Sequence, residues 1–174
     1  MEAKRVARAG VMAALLAVSA QVMLPLGPVP FTLQTLVLAM VPAVLDPATS
    51  VFTVLAYVVL GAVGLPVFAG FNGGIGALAG PTGGFLWGFV LGCALAGALA
   101  KVLDGRIGAY PRALVCAAAL VLVSYACGTV QLMALMNLDL AGALAIAVIP
   151  FVVPDAVKVA IGARLGCTVA RVVK

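Results

Sequence analysis

Histidine is absent from the 174 residues, and only 9% of them are charged. Without imidazole the chain lacks the commonest general base and the commonest metal ligand, which leaves serine–histidine and zinc chemistry without their usual parts. No lysine or arginine occurs between Arg8 and Lys101. A phosphate-cradling loop needs a lysine after its glycines, and "GALAGPTGG" has none, so nucleotide hydrolysis by this chain is not expected. The four cysteines, Cys93, Cys116, Cys127 and Cys167, stand singly in apolar segments without a C-x-x-C pair. They read as small hydrophobes and not as a disulfide framework or a metal site. With no nucleophile–base set either, the chain is expected to be no enzyme and to carry no cofactor or metal.

What is present is apolar. Hydrophobic residues make up 66% and the mean hydropathy is +1.31, whereas a soluble domain is about 45–50% apolar and about 25% charged. The expected fold class is an all-α integral membrane protein. At about 20 residues per span, a chain of this length crosses the bilayer about six times, as one domain over residues 1–174. The start, "MEAKRVARAGVMAALLAVSAQV", has the basic, apolar and small-x-small order of a signal peptide, ending at Val18–Ala20. It is read as the first span instead, because the later segments need a first helix to orient them.

Proline, glycine and polar breaks divide the chain. The expected spans are Val6–Met23, Thr32–Leu45, Ala48–Leu65, Gly83–Leu103, Ala113–Met136 and a last helix starting at Pro154, a favoured first-turn position for proline. A short re-entrant or interfacial helix, Leu140–Val148, precedes that last one. With the N-terminus inside, Lys4, Arg5, Arg8, Lys101, Arg106, Arg112, Arg164, Arg171 and Lys174 all fall on the cytoplasmic side. Nine of ten basic residues so placed indicate a multi-pass protein of the cell membrane with both termini cytoplasmic. The net charge of +5 is thereby accounted for by orientation, and no nucleic-acid partner is implied.

The tenth basic residue, Lys158, follows Asp155 by three positions in "PDAVK". Ionisable groups at membrane depth cost about 2.5–3.5 kcal/mol each on insertion scales, so they mark a pathway or a ligand site more often than a packing detail. The plainer alternative is a self-satisfying i, i+3 pair near the interface. On the same outer side lies "FAGFNGGIGALAGPTGGF", Phe68 to Phe85, with seven glycines and only Asn72 and Thr82 polar. Backbone at membrane depth must be buried in protein or line a cavity. Glycines let it approach a ligand closely, and the flanking Phe68, Phe71, Phe85 and Trp87 supply apolar walls. Thr32, Gln34 and Thr35 open the second helix, where Thr32 is a candidate cap. Ala9, Ala13 and Ala17 recur every four residues on the first helix, a row that allows close helix approach in lipid.

"GPVPFTLQTL", "GAVGLPVFAG", "GPTGGFLWGF" and "PFVVPDAVK", in this order, resemble the motifs of the BioY family, the biotin-specific S components of energy-coupling factor transporters. The likeness runs through essentially the whole chain. It implies a six-helix bundle with structured outer loops that captures biotin from outside. It also implies energising by a separate membrane-embedded T component and cytoplasmic ATP-binding subunits, with helix 1 meeting the T component, so that Ala9 and Ala13 become candidate partner contacts. Asn72, Asp155 and Lys158 are similar to biotin-contacting positions. Asp155 is suited to accept from a ureido N–H and Asn72 to serve either ureido function. Lys158 either meets the biotin carboxylate or orients Asp155, and the residues leave both open. The competing readings are an S component for another vitamin such as thiamine or riboflavin, a solitary oligomeric biotin transporter, and a membrane assembly protein whose Asp155–Lys158 pair only fixes packing.

Overall fold

The computed structural model describes residues 3–25 and 27–173, so Lys174, one of the orienting basic residues, lies outside them. Helix α1, Ala3–Gln21, leads into a two-stranded hairpin of β1, Met23–Leu24, and β2, Phe31–Thr32, which pair antiparallel with Met23 opposite Thr32 and Leu24 opposite Phe31. Thr32 is therefore a strand residue and not the cap of the second helix. Its Oγ1 still accepts from the backbone N–H of Gln34 at 3.3 Å, which turns the chain into α2, Gln34–Val44. Asp46 caps α3, Pro47–Ala62, by accepting from Thr49 N–H at 3.2 Å and Thr49 Oγ1 at 2.7 Å, with Pro47 in the first turn where its missing N–H costs nothing.

The glycine-rich stretch is structured. It forms a 3₁₀ turn, Ala69–Phe71, and a five-residue helix α4, Ile75–Ala79, before α5, Gly83–Val102, begins. Helix α6, Ala109–Met136, ends at Asn137 in the left-handed conformation. Asp139 caps the short helix α7, Leu140–Ala147, through Gly142 N–H at 2.9 Å. After a 44° bend comes α8, Ile149–Val173. The last helix thus starts a turn and a half earlier than Pro154, which sits inside it. Pro150 takes the first-turn place instead, and Pro154 removes one backbone donor from the turn that precedes Asp155.

Helices α5 and α6 are each long and apolar enough to cross a membrane, and the bent α7–α8 pair makes a third candidate. Helices α2 and α3 are apolar but span only 11 and 16 residues. In α1 any 18-residue window contains Lys4, Arg5 and Arg8, which dilutes an otherwise apolar helix. The side-chain distribution is inverted relative to a soluble protein. Val11, Val18, Leu122, Val130 and Val153 point outward, while Gln34, Ser50, Thr53, Ser124, Asp155 and Lys158 are buried. Lipid-facing surfaces have that character, because the exterior solvent is apolar and polar groups must find partners inside.

Close helix packing comes from small residues. Gly84, Gly88 and Gly92 recur every four residues on α5, and a Cβ on Gly88 would stand 2.5 Å from Ser124 Cα of α6. On α8, Gly162 lies so near α2 that a Cβ would stand 2.3 Å from the Leu36 carbonyl. Such rows bring helices into backbone contact where lipid supplies no hydrophobic drive. The core runs through Leu16, Leu38, Val54, Tyr57, Leu120 and Cys93, so this cysteine is a filler as its context suggests.

The bundle has two unlike ends. At one, Arg8 hydrogen-bonds the Val173 carbonyl, Arg5 approaches Asp46 at 3.9 Å, and Arg112 pairs with Asp104 in the α5–α6 turn. The hairpin, the glycine-rich stretch and α7 lie at the other.

Candidate ligand-binding site

Beneath the hairpin and the glycine-rich stretch opens a concave cavity of the kind that small molecules occupy. Val29 and Pro30 of the hairpin, Phe68, Phe85, Phe89 and Phe151 form apolar walls. The polar groups are few: Gln34 and Thr35 of α2, Ser124 and Tyr125 of α6, Asp155 and Lys158 of α8, with Thr32 of β2 and Thr82 just before α5. An apolar envelope with a handful of fixed polar groups suits a ligand with an apolar body and a small polar head.

The centre of the site is Asp155. The i, i+3 spacing on α8 puts it and Lys158 on one face, and Lys158 Nζ donates to Oδ1 at 2.6 Å. Tyr125 donates its hydroxyl to Oδ2 at 2.6 Å from α6. Lys158 also donates to the Thr32 carbonyl at 2.8 Å and stands 3.7 Å above the ring of Phe31, which stacks on Phe151 at 6.1 Å. The hairpin is thus tied to α8 by one ammonium. Both side chains of the pair are only 8% exposed. A buried ion pair repays its desolvation only when the remaining donors and acceptors are also used, and Tyr125, Thr32 and Phe31 meet that condition.

Two amides hold the glycine-rich stretch over the cavity. Gln21, at the end of α1, donates to the Phe68 carbonyl at 3.1 Å and accepts from Phe71 N–H at 2.8 Å. Phe71 has φ +58°, a conformation a bulky side chain rarely adopts, and this bond helps to keep it there. From α6, Gln131 donates to the carbonyls of Leu78 at 3.0 Å and Gly80 at 2.7 Å. The Phe68 ring packs edge-on against Tyr57 at 5.5 Å and fills the space a Cβ on Gly61 would occupy.

Of the residues expected from sequence, Asp155 and Lys158 meet at the cavity. Asn72 does not line it: its side chain is exposed and donates to the Ala69 carbonyl at 2.8 Å, closing the local turn. Ala9 is buried, and Ala13 and Ala17 pack against the core, so this row faces α1's own bundle. The small residues that α1 presents outward are Ala7, Gly10 and Ala14. Helical periodicity alone does not tell the two rows apart in so alanine-rich a segment. Tyr125 belongs to no motif of the sequence. Its one signal there is a hydroxyl aromatic inside the aliphatic run "LVCAAALVLVSYACG". Among the described residues no three His, Cys, Asp or Glu gather within reach of a shared metal ion.

The BioY family model matches residues 1–174. The chain is similar to a protein named biotin transporter BioY from Thermotoga maritima, 38% identical over 162 residues, 93% of each chain. It is also similar to a probable biotin transporter BioY from Pyrococcus horikoshii, 36% identical over 163 residues, 92% of each. Among solved structures it superposes on the S-component for biotin from an ECF-type ABC transporter with a TM-score of 0.88. That match covers 97% of this chain and 91% of the other at 24% identity, and carries the fold alone.

Proposed function

The chain belongs to the BioY family, and from that membership we propose that it is the biotin-binding S component of an energy-coupling factor transporter. It binds biotin and serves its uptake across the cell membrane, as the relatives' names describe for them. The observation that carries the reading is the cavity with the Asp155–Lys158–Tyr125 cluster on its wall, at the end of the bundle away from the basic residues. The bicycle of biotin suits the apolar walls, and its ureido N–H groups suit buried acceptors.

On this reading Asp155 and Lys158 contact the ligand. Lys158 already serves Asp155 and Thr32, which supports an orienting role over a direct one on the valerate carboxylate. Asn72 reaches biotin only if the stretch around it closes further over the mouth. The bundle crosses the membrane six times, through α1, α2, α3, α5, α6 and α8, with both termini cytoplasmic. The short α2 and α3 are completed by the turns at their ends, and the basic end faces the cytoplasm in keeping with charge asymmetry. The chain itself performs no covalent chemistry. Uptake is energised by a T component in the membrane and by cytoplasmic ATP-binding subunits. Helix α1 meets the T component, with Gly10 and Ala14 as the exposed small pair beside Ala9 and Ala13.

Equilibrium binding to the purified protein tests the reading. Biotin is expected to bind with nanomolar or better affinity and to resist competition by thiamine and riboflavin. A folded preparation that binds no biotin overturns it.

A further inference from the structure

The hydrogen-bond chain behind the cavity fixes the orientation of an amide that no motif singles out as a ligand contact. Tyr57 has one hydroxyl hydrogen and gives it to the Val67 carbonyl at 3.0 Å. Its oxygen, 2.7 Å from Gln34 Nε2, must therefore accept from that amide. The Gln34 carbonyl oxygen is consequently the end left facing away from Tyr57. Gln34 is only 6% exposed and lines the cavity, and Oε1 receives no hydrogen bond from any described residue. Among the described residues only Thr129 Oγ1 is a fully buried side-chain polar atom without a partner, so Gln34 Oε1 opens on the cavity space, where an occupant can supply its donor. Thr35 and Thr82, also on the lining, carry hydroxyls that rotate to donate or accept. Gln34 differs in that its polarity is set from behind.

Asp155 supplies the other acceptor, with one donor already on each oxygen and further lone pairs in reserve. Two acceptors on α2 and α8, lining one cavity, match a ligand with two N–H groups on one ring. We propose that Gln34 Oε1 accepts one of the two ring N–H groups of a cyclic urea, that Asp155 accepts the other, and that Tyr57 is a positioning residue for Gln34. This rests on the biotin reading and deepens it by naming what selects the urea. A site built to accept a particular N–H discriminates sharply against an analogue lacking it, because the buried acceptor is then left unpaired.

The experiment is a cycle between protein and ligand, using detergent-purified full-length protein and isothermal calorimetry or equilibrium dialysis. Biotin is compared with its two mono-N-methyl ureido analogues against wild type, Gln34→Met and Tyr57→Phe. In wild type, methylation at one nitrogen is expected to cost at least tenfold more affinity than in Gln34→Met, with Tyr57→Phe intermediate. Gln34→Glu is expected to shift preference at least tenfold toward the analogue whose ureido oxygen is replaced by nitrogen, a cyclic guanidinium cation. Equal methylation penalties in wild type and Gln34→Met overturn the inference. If Gln34→Met does not fold, the Gln34→Glu preference decides alone, and an unchanged ratio overturns it. A wild-type protein that binds no biotin sinks the function reading and this inference together, whereas bound biotin with unchanged penalties sinks the inference only.

Discussion

Asp155–Lys158 and Asp104–Arg112 join the same charges at opposite ends of one bundle. The first pair is 8% exposed on both sides and has Tyr125, the Thr32 carbonyl and the Phe31 ring as further partners. In the second, the arginine is 31% and the aspartate 73% exposed. Water screens the outer pair, and such pairs contribute about 0–1 kcal/mol. The inner pair is coupled to the hairpin, to α6 and to the cavity wall, so its loss is felt as an unpaired charge in an apolar interior. The contrast separates a pair held inside the bundle beside the cavity from a pair left at its exposed end.

The largest expected effect comes from breaking the inner pair on one side. Lys158→Met leaves the Asp155 carboxylate with Tyr125 alone, and removing one partner of a buried pair costs about 3–5 kcal/mol. Thermal unfolding in detergent should fall steeply, and biotin binding should weaken by well over tenfold. The double variant Asp155→Asn with Lys158→Met should regain much of the stability and none of the binding. Recovery of binding in that variant would make the pair merely structural.

Next is the packing that brings α6, and with it Tyr125, to the cavity. Gly88→Val places side-chain atoms where Ser124 Cα already stands. Overpacking costs about 1–3 kcal/mol and should appear as a lowered unfolding temperature together with weaker binding. The same change at Gly10, where an added Cβ would meet nothing within 4 Å, should leave both unchanged in the isolated protein.

A smaller effect is expected from the straps. Gln21→Ala and Gln131→Ala each remove hydrogen bonds worth about 0.5–1.5 kcal/mol between the glycine-rich stretch and the helices. Stopped-flow release of a fluorescent biotin conjugate should speed up several-fold with little change in association. Unchanged release from both variants would show that the stretch does not cover the mouth.

The smallest effects belong to the basic end. Asp46, the cap of α3, has its carboxyl held below the usual carboxylate range, chiefly by the Thr49 hydroxyl. A depressed folded-state pKa gives stability that is full above the unfolded value and lost as pH falls through the folded one. Asp46→Ala should therefore lower stability by about 1 kcal/mol near neutral pH, and the gap to wild type should close in acid below the ordinary carboxylate range. Biotin affinity at neutral pH should not change. A gap that persists in strong acid would assign the loss to packing and not to the charged cap.

Legibility from sequence follows the range of the forces involved. Helix ends are readable where a local device writes them: Asp46-Pro47 before α3 and Asp139 before α7 bond to residues three positions on, so the signal lies within one turn. Pro154 misleads because Pro150 offers the same first-turn chemistry four residues earlier. Asp155 and Lys158 stand out because charge in an apolar run is costly wherever the chain folds. Gln34, Tyr57 and Tyr125 do not, since a lone amide or phenol acquires meaning only from its partner, here 23, 10 and 30 residues away. Asn72, polar and set among glycines, is conspicuous in sequence, yet its side chain bonds its own turn.

By itself the sequence determined the solvent, the helical class and the end that holds the basic residues, because hydropathy and charge act on each segment independently. Only the tertiary structure decided that a hairpin and two glutamine straps roof a cavity, which row of small residues on α1 faces inward, and that Asp155 is met by Tyr125. Hydrogen bonds reach about 3 Å, so which groups they join depends on how the glycine rows let the helices approach.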